Sequence, residues 1–390
     1  MDETPLLHPI TNTEQGAIIA LANSRERLSD YSPSITRGLD EANAKKDGHI
    51  RYTVGQPESW EEVILQGTHF AIGSPFAKQP NLPMRNGKDW APWDLVTLAP
   101  DPIPRTTYAR ACARDTFELA QDYWDGSPHT ERYRLAWRRM IDPKNTERSL
   151  FAALIPPGPT HVHAVHSMAL SDNRKTVLNA GFWASLPLDY LLRITGRADL
   201  QIAEAHKMPA PSADHPLSAP LLLRTLRLNS MTSAYADLWN ELFHPTWPNY
   251  EDWASPHWLN IPPLTSELDP FWTQKTPFRT EYERRAALVE IDALVSVWLG
   301  ITADQLATIY KSRYAVLHDR EAAMYFDARG RRVAADPYAY GYGQTKQDYV
   351  DLLAHLDAPD SVPPPVGYSA PFYKADRETE MRAAHAHFQA

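Results

Sequence analysis

The alternation of apolar and polar side chains is clearest between Arg132 and Arg138. On an extended chain, one face of this segment carries Tyr133, Leu135 and Trp137, and the other face carries Arg132, Arg134 and Arg138. The pattern predicts a half-buried strand with a basic outer face. Residues 149–155 are apolar on both sides and predict a central strand, which a turn at Pro156-Pro157-Gly158 ends.

Upstream of this strand pair, β-branched and aromatic residues mixed with Gly and Pro predict short strands and turns over residues 59–76. The periodicity of residues 106–124 predicts a helix, and residues 176–196 predict a helix that Gly196 ends. A second long helix is expected over residues 221–243, after a Pro-rich link.

The last third of the chain has clear helix-capping signals. Thr280 with Glu283 and Thr302 with Gln305 are capping boxes, Gly300 is a helix C-cap, and Thr345 is an N-cap. A hairpin is expected at residues 323–333 and a final helix in the C-terminal tail. We therefore expect an α+β protein: an N-terminal helix and loop segment (1–50), a mixed, mostly antiparallel domain (51–215), and a predominantly helical domain (216–390).

Composition limits the classes of protein to which this chain can belong. The chain has 390 residues, of which 43% are hydrophobic, so a sizeable core is expected. No apolar run is long enough to span a membrane and no signal peptide precedes the first elements, so a cytoplasmic protein is expected. The single cysteine, Cys112, excludes an internal disulfide and fits a reducing compartment.

A net charge of −9 argues against indiscriminate binding of nucleic acid, but the charge is unevenly distributed. Residues 131–150 contain six basic side chains against three acidic ones; the basic ones are Arg132, Arg134, Arg138, Arg139, Lys144 and Arg148. A solvated strand face with salt bridges is the alternative to a binding surface here. A second polar and basic loop contains Lys78, Gln79, Asn81, Arg85, Asn86 and Lys88.

Three histidines, His161, His163 and His166, follow the Pro-Pro-Gly turn. His161 and His163 share a face on a strand, which is compatible with metal ligation, and His166 faces away unless the strand ends between them. Structural histidines and contacts to a ligand or nucleic acid are the other two interpretations, because no third ligand has a diagnostic spacing. The sequence has neither a G-x-S-x-G nucleophile motif nor a G-x-x-x-x-G-K-[ST] phosphate loop.

Several segments in order resemble a known family. They are SWEEVILQGTHFAIGSPFAKQPN, KDWAPWDL, IPRTTYARAC, RYRLAWRRMIDPKNTERSLFAALIPPG, DYLLRITGRADLQIAEAHKMPAP with its Met208-Pro209, GYGQTKQDYVDLLAHL and GYSAPFYKADRETE. Together they resemble the C-terminal target-recognition region of large N6-adenine DNA methyltransferases, which include type IIG restriction–modification enzymes and the methyltransferases of the BREX and DISARM phage-defence systems. The resemblance runs from about Ser59 onward.

The chain departs from that family at the catalytic motif. The family's methyltransferase domain has a Gly-rich loop and an N-P-P-[YF] motif that holds the flipped adenine. Here the corresponding Pro-Pro pairs, at Pro156-Pro157 and Pro262-Pro263, follow an isoleucine and precede no aromatic residue. The resemblance implies that this chain recognises DNA and has no catalytic residues, no metal and no cofactor. A partner catalytic methyltransferase subunit would bind S-adenosylmethionine.

The expected function is therefore sequence-specific recognition of double-stranded DNA, as the specificity component of an adenine methyltransferase in restriction–modification or phage defence. The residues expected to contact DNA are Arg132, Arg134, Arg138, Arg139, Lys144, Asn145, Arg148, His161, His163, His166, Ser167, Lys78, Gln79, Arg85 and Lys88. Two alternatives stay open: a metal-dependent hydrolase that uses the histidines, and an adaptor that binds only a partner protein through the helical C-terminal part.

Overall fold

The computed structural model describes residues 11–142, 146–255 and 261–390. It confirms the α+β class: most of the strands, which are short and mainly antiparallel, lie in the first half of the chain, and helices dominate the second half. No helix in these three ranges is both long enough and apolar enough to cross a lipid bilayer.

The strands of the described ranges are numbered along the chain. They are β1 (Ser34–Thr36), β2 (Ile50–Gly55), β3 (Ile64–Leu65), β4 (Lys78–Pro80), β5 (Trp90–Pro92), β6 (Thr106–Arg110), β7 (Tyr123–Trp124), β8 (Ser127–Pro128), β9 (Arg134–Arg138), β10 (Ala152–Ile155), β11 (Thr160–His161), β12 (Val165–Ala169), β13 (Met324–Phe326), β14 (Arg332–Ala334) and β15 (Tyr373–Lys374).

The helices are numbered in the same way. They are α1 (Asn12–Ala22), α2 (Glu41–Lys46), α3 (Arg114–Leu119), α4 (Asn173–Trp183), α5 (Leu186–Ile194), α6 (Ile202–Ala205), α7 (Ser218–Asn229), α8 (Ala236–Leu242), α9 (Trp247–Tyr250), α10 (Glu281–Leu299), α11 (Ala303–Arg313), α12 (Ala315–Ala322), α13 (Lys346–Asp357) and α14 (Arg377–Gln389).

The main sheet has the order β1-β12-β9-β10, and its neighbouring strands are antiparallel. Leu135 and Trp137 on one face of β9 belong to the main hydrophobic core, together with residues of α4 and α7. Ala136 on the other face packs against Val63 and Phe70. Because residues 63–70 cover this second face, the prediction of an exposed basic face on β9 is wrong.

The positions of β9 and β10 in the sheet also differ from the prediction. The arginine-bearing strand β9 is central, since it pairs with both β12 and β10, and the apolar strand β10 lies at the end of the strand order. Strand β10 is nevertheless buried on both sides. Its continuous apolar pattern therefore reports packing on two faces, not hydrogen bonding on two edges.

The capping predictions are confirmed. Thr280 and Thr302 each accept a hydrogen bond from the backbone N–H of the third helical residue, and Gly300 ends α10 in the left-handed conformation with φ of 74°. Thr345 caps α13 in the same way. The predicted hairpin is formed by β13 and β14, and the predicted C-terminal helix is α14.

Three predicted helices are wrong in extent. Residues 106–110 form strand β6 and only Arg114–Leu119 is helical, because the segment pairs with β2. The segment 176–196 is divided into α4 and α5, and Pro187 lies in the first turn of α5, where its missing N–H costs no hydrogen bond. The segment 221–243 is divided into α7 and α8.

The main hydrophobic core extends across the predicted domain boundary at residue 215. It contains Trp137 of β9 and Trp183 of α4 as well as Leu222 of α7 and Ile291 of α10. The N-terminal helix α1 also packs against the C-terminal part of the chain, because it contacts α11 and its buried Glu14 pairs with Arg313 at 2.6 Å. The division into three domains stays a prediction, but the two larger parts share one core.

Candidate nucleic-acid interface

Two of the arginines expected to contact DNA are buried. Arg134 on β9 has no exposed surface, its Nε donates to the carbonyl of Arg132 at 3.1 Å and its Nη2 donates to that of Pro159. Burial lowers the pKa of Arg134 to about 9. Arg148 is 3% exposed and lies between the carboxylates of Asp189 and Asp292, at 3.5 and 3.6 Å. Neither guanidinium is accessible to a duplex in this structure.

Two of the three histidines expected to contact DNA are buried as well. Strand β11 ends at His161, whose ring is buried and lies with Nε2 2.8 Å from the hydroxyl of Ser167, which is buried too. His166 is buried and its ring stacks on that of His163 at a centroid distance of 5.4 Å. Only His163 of the three is partly exposed.

Burial and the nearby cations explain why these rings stay neutral. Burial, followed by His163 and Arg139, lowers the pKa of His166 to about 4. The pKa of His163 is lowered as well, first by burial and then by Arg139 and Arg37. Among the described residues no group of three or more His, Cys, Asp or Glu side chains is arranged to hold a metal ion. The hydrolase alternative thus gains no support from the geometry.

Arg138, at the end of β9, has a different environment. Its Nε donates to the carbonyl of Gly67 at 2.5 Å, and its Nη2 donates to that of Phe70. The guanidinium carbon lies 4.2 Å from the ring centroid of Phe151. Burial lowers the pKa of Arg138 to about 10, still far above neutrality, and no carboxylate in the described ranges forms an ion pair with it. It is therefore a partly buried cation whose charge is available to an anionic ligand.

The second basic loop is a hairpin whose strands are β4 and β5. Lys78 is paired with Pro92, and Pro80 with Trp90. Asp89 organises the connection, since its carboxylate accepts from the Nδ2 of Asn81 at 2.6 Å and from the backbone N–H of Arg85 at 2.9 Å. The side chains of Lys78, Arg85 and Lys88 are left exposed on this ordered loop.

Gln79 has a mainly structural position in the same hairpin. Its Oε1 accepts from the backbone N–H of Arg105 at 3.3 Å, and the Nε of Arg105 donates to the carbonyl of Pro80 at 2.8 Å. These bonds attach the hairpin to the start of β6. The hairpin is therefore held in a fixed position relative to the β2–β6 pair.

The hairpin and the end of β9 form two walls of one cleft. The cleft encloses about 510 Å³, a volume typical of small-ligand sites. Strands β2, β5, β6 and β9 and the turn at Gly67–His69 contribute its lining, which consists of Tyr52, Gln66, Gly67, Thr68, Met84, Gly87, Trp90, Thr107, Arg138, Met140, Ile141, Asp142, Thr146, Phe151 and Ala164. We call this feature the β9 cleft.

The turn at Gly67–His69 is held by His69. The Nδ1 of His69 accepts from the backbone N–H of Gln66 at 2.9 Å, and its Nε2 lies 3.0 Å from the carbonyl of Arg105, to which it donates. Burial lowers the pKa of His69 to about 4, so this neutral tautomer persists at physiological pH. The same turn presents the carbonyl of Gly67 to Arg138.

The other expected contacts lie near the cleft or on the surface beyond it. Arg139 is half-buried, with its Nε 3.5 Å from the carboxylate of Asp199. Arg132 pairs with Asp125 at 2.9 Å, as expected of a solvated salt bridge. Lys144 and Asn145 lie outside the described residues.

Sequence reasoning identified Arg138 but missed most of the residues around it. Gln66, Trp90, Thr107 and Phe151 come from four separate segments and have no common spacing. Of these four residues, Trp90 is half-buried and presents an aromatic side chain to the cleft. The one usable signal in the sequence was the polar loop itself, in which Lys88 stands two residues before Trp90.

Comparison with protein-family models and with curated proteins gives no match for this chain.

Proposed function

We propose that this chain binds double-stranded DNA through the β9 cleft and the hairpin beside it, as the non-catalytic specificity component of an adenine methyltransferase in restriction–modification or phage defence. The observation that carries the proposal is the position of the hairpin relative to Arg138. Met84, Gly87 and Trp90 of the hairpin line the same cleft as Arg138 of β9, and the hairpin also bears three exposed cations, Lys78, Arg85 and Lys88.

Local positive charge supports this location in a chain that is acidic as a whole. A recognition surface needs local positive charge for the phosphates and polar groups for base edges. Arg138 and the exposed cations of the hairpin provide the first, and Gln66, Thr68 and Thr107 provide the second. Asp89, the acidic residue within the hairpin, is occupied by hydrogen bonds of the loop.

The resemblance described above supplies the role in methylation. The sequence lacks the N-P-P-[YF] motif, so the proposal assigns base methylation and the binding of S-adenosylmethionine to a partner catalytic subunit. The buried members of the expected contact set, Arg134, Arg148, His161, His166 and Ser167, then position the interface instead of touching DNA.

Fluorescence anisotropy with a labelled duplex at low salt tests the proposal. We expect wild-type protein to bind and an Arg138→Ala, Lys88→Ala variant to bind at least about tenfold more weakly, because each substitution removes a cation proposed to contact a phosphate. A Lys275→Ala, Lys311→Ala variant is the matched control, since it also removes two positive charges, from exposed lysines that do not line the cleft. Equal weakening by both variants would refute this interface.

An adaptor that binds only a partner protein is a second candidate, for one reason. Helix α13 exposes Val350, Leu353 and Leu356, which are 49%, 45% and 39% exposed and lie on one side of the helix. If wild-type protein has no affinity for any duplex at low salt but co-purifies with a methyltransferase, the adaptor function replaces DNA recognition.

A further inference from the structure

The β9 cleft has the composition of a pocket for a planar ring. Its apolar lining comes from Tyr52, Met84, Trp90, Met140 and Phe151. Tyr52 and Met140 are 57% and 67% exposed, so large apolar side chains stand at the surface around the opening. Pockets that combine aromatic walls with a few polar groups bind small organic ligands or ligand groups, whereas a groove that contacts only a sugar–phosphate backbone needs no such walls.

One amide inside the cleft is fixed in orientation. The hydroxyl of Thr107, which is 2% exposed, donates to the Oε1 of Gln66 at 2.8 Å. This bond directs the Oε1 of Gln66 toward Thr107, and the Nε2 has no hydrogen-bond partner among the residues that the structure describes. The cleft therefore contains an oriented amide donor, which fits the ring nitrogens and carbonyl oxygens of nucleobases.

Arg138 adds a cation at the same place. Two of its N–H groups bind the carbonyls of Gly67 and Phe70, and its guanidinium plane lies against Phe151. These contacts fix the group without neutralising its charge. A phosphate attached to a ring in the cleft would bind there with a charge-assisted hydrogen bond.

We propose that the β9 cleft binds a single nucleobase together with its phosphate. The ring packs against the aromatic side chains that include Trp90, its edge accepts from the Nε2 of Gln66, and its phosphate contacts Arg138. Two sources have this chemistry: one unstacked base of a bound DNA, in which case the inference rests on the proposed function, and a free mononucleotide.

The experiment compares three probes with the whole chain: a fully paired duplex, the same duplex with one bulged adenine, and deoxyadenosine monophosphate. A base that is already unpaired does not pay the cost of unstacking, so we expect the bulged duplex to bind about tenfold more tightly than the paired one. Gln66→Leu and Trp90→Ala should each bring that ratio close to one. Tyr338→Ala, which removes an 86% exposed aromatic residue that does not line the cleft, should leave it unchanged.

Each result is decisive. If both duplexes bind equally tightly in wild type and in Gln66→Leu, the inference is overturned and the proposed function stands. If neither duplex binds but the mononucleotide does, and Gln66→Leu weakens it, the cleft takes a free nucleotide and the proposed function fails. If nothing binds, both fail. Gln66→Leu keeps the test valid if Trp90→Ala disturbs the fold through its contact with His69, a centroid distance of 4.9 Å.

Discussion

Arg224 and Glu290 form an ion pair from which solvent is fully excluded, with 2.7 Å between Nε and Oε2 and no exposed side-chain surface on either residue. The other carboxylate oxygen of Glu290 accepts from the backbone N–H groups of Ala254 and Ser255. The pair connects α7 to α10 and to the loop after α9. It lies in the part of the molecule where the two predicted domains share their core.

Removing one partner of this pair should be costly. We expect Glu290→Ala to lower the free energy of unfolding by about 3 kcal/mol or more, because it leaves the Arg224 guanidinium buried and frees two backbone N–H groups. Urea unfolding measures the loss. Glu267→Ala, which breaks the exposed pair with Lys275, is the control and should cost less than about 1 kcal/mol. Similar losses in the two variants would contradict the importance of burial.

The stability of the fold should depend on pH through His69. Its pKa is about 4 in the folded protein and about 6.5 when unfolded. Between these values the unfolded state binds a proton that the folded state does not, so stability is full above pH 6.5 and falls as the pH drops toward 4. The contribution is on the order of 3 kcal/mol.

The His69→Gln variant isolates this contribution from those of other buried histidines. Its free energy of unfolding, measured by urea titration at several pH values, should decrease less steeply than that of wild type between pH 6.5 and 4. Parallel curves for the two proteins would show that His69 does not titrate as expected.

Gly38 is required for two separable reasons. Its φ is 67°, and a Cβ added there would lie 2.2 Å from the carbonyl oxygen of His161. Gly48 also has a left-handed conformation, with φ of 73°, but no atom lies within 4 Å of its added Cβ. We expect Gly48→Ala to cost about 1 to 2 kcal/mol for the backbone alone, and Gly38→Ala to cost clearly more. Thermal unfolding of both variants tests the difference.

Gly181 lies where α4 packs against α7. A Cβ at this position would lie 2.3 Å from the Oγ1 of Thr225 and 2.7 Å from a methyl carbon of Leu221. Replacement of Gly by Ala normally stabilises a helix interior by about 1 kcal/mol, but here the clash should make the replacement destabilising. In α1, the Cβ of Gly16→Ala would meet only the side chain of Gln305, which can shift at the cost of its hydrogen bond from the backbone N–H of Thr302, so this control should cost clearly less than Gly181→Ala. Stabilisation by Gly181→Ala would refute the close approach.

If the hairpin contacts phosphates, salt should reveal it. We expect an Arg85→Ala, Lys88→Ala variant to reduce the slope of log affinity against log salt by about 2, since each phosphate contact contributes roughly one unit. Anisotropy titrations at several salt concentrations give the slope. An unchanged slope, with the Lys275→Ala, Lys311→Ala control for comparison, would place the DNA elsewhere.

Local sequence signals predicted local structure well. The caps at Thr280, Thr302 and Thr345 form hydrogen bonds with residues three positions away. All the groups that form each cap therefore lie within four consecutive residues. The strand at residues 134–138 was also predicted, but the prediction that one of its faces is exposed was wrong. Whether this face of β9 meets water or protein depends on Val63 and Phe70, which pack with Ala136 and lie some seventy residues away along the chain.

The candidate site was predictable only in part, for the same reason. Arg138 and the basic hairpin could be recognised from their charge, whereas their meeting at one cleft depends on the pairing of β2 with β6 and of β4 with β5. The histidines misled because their spacing was compatible with a metal site, while their burial removes two of the three from the surface.

The pairing of Lys78 with Pro92 has an evolutionary consequence. Because the two ends of the hairpin are neighbours in space, the residues between them can change in length and identity without altering the gap that the rest of the chain must bridge. Residues 81–88, between the two strands, are thus a replaceable cassette at the edge of a frame of fixed size. Diversification at this cassette would alter what the cleft meets while the buried framework continues to fold as before.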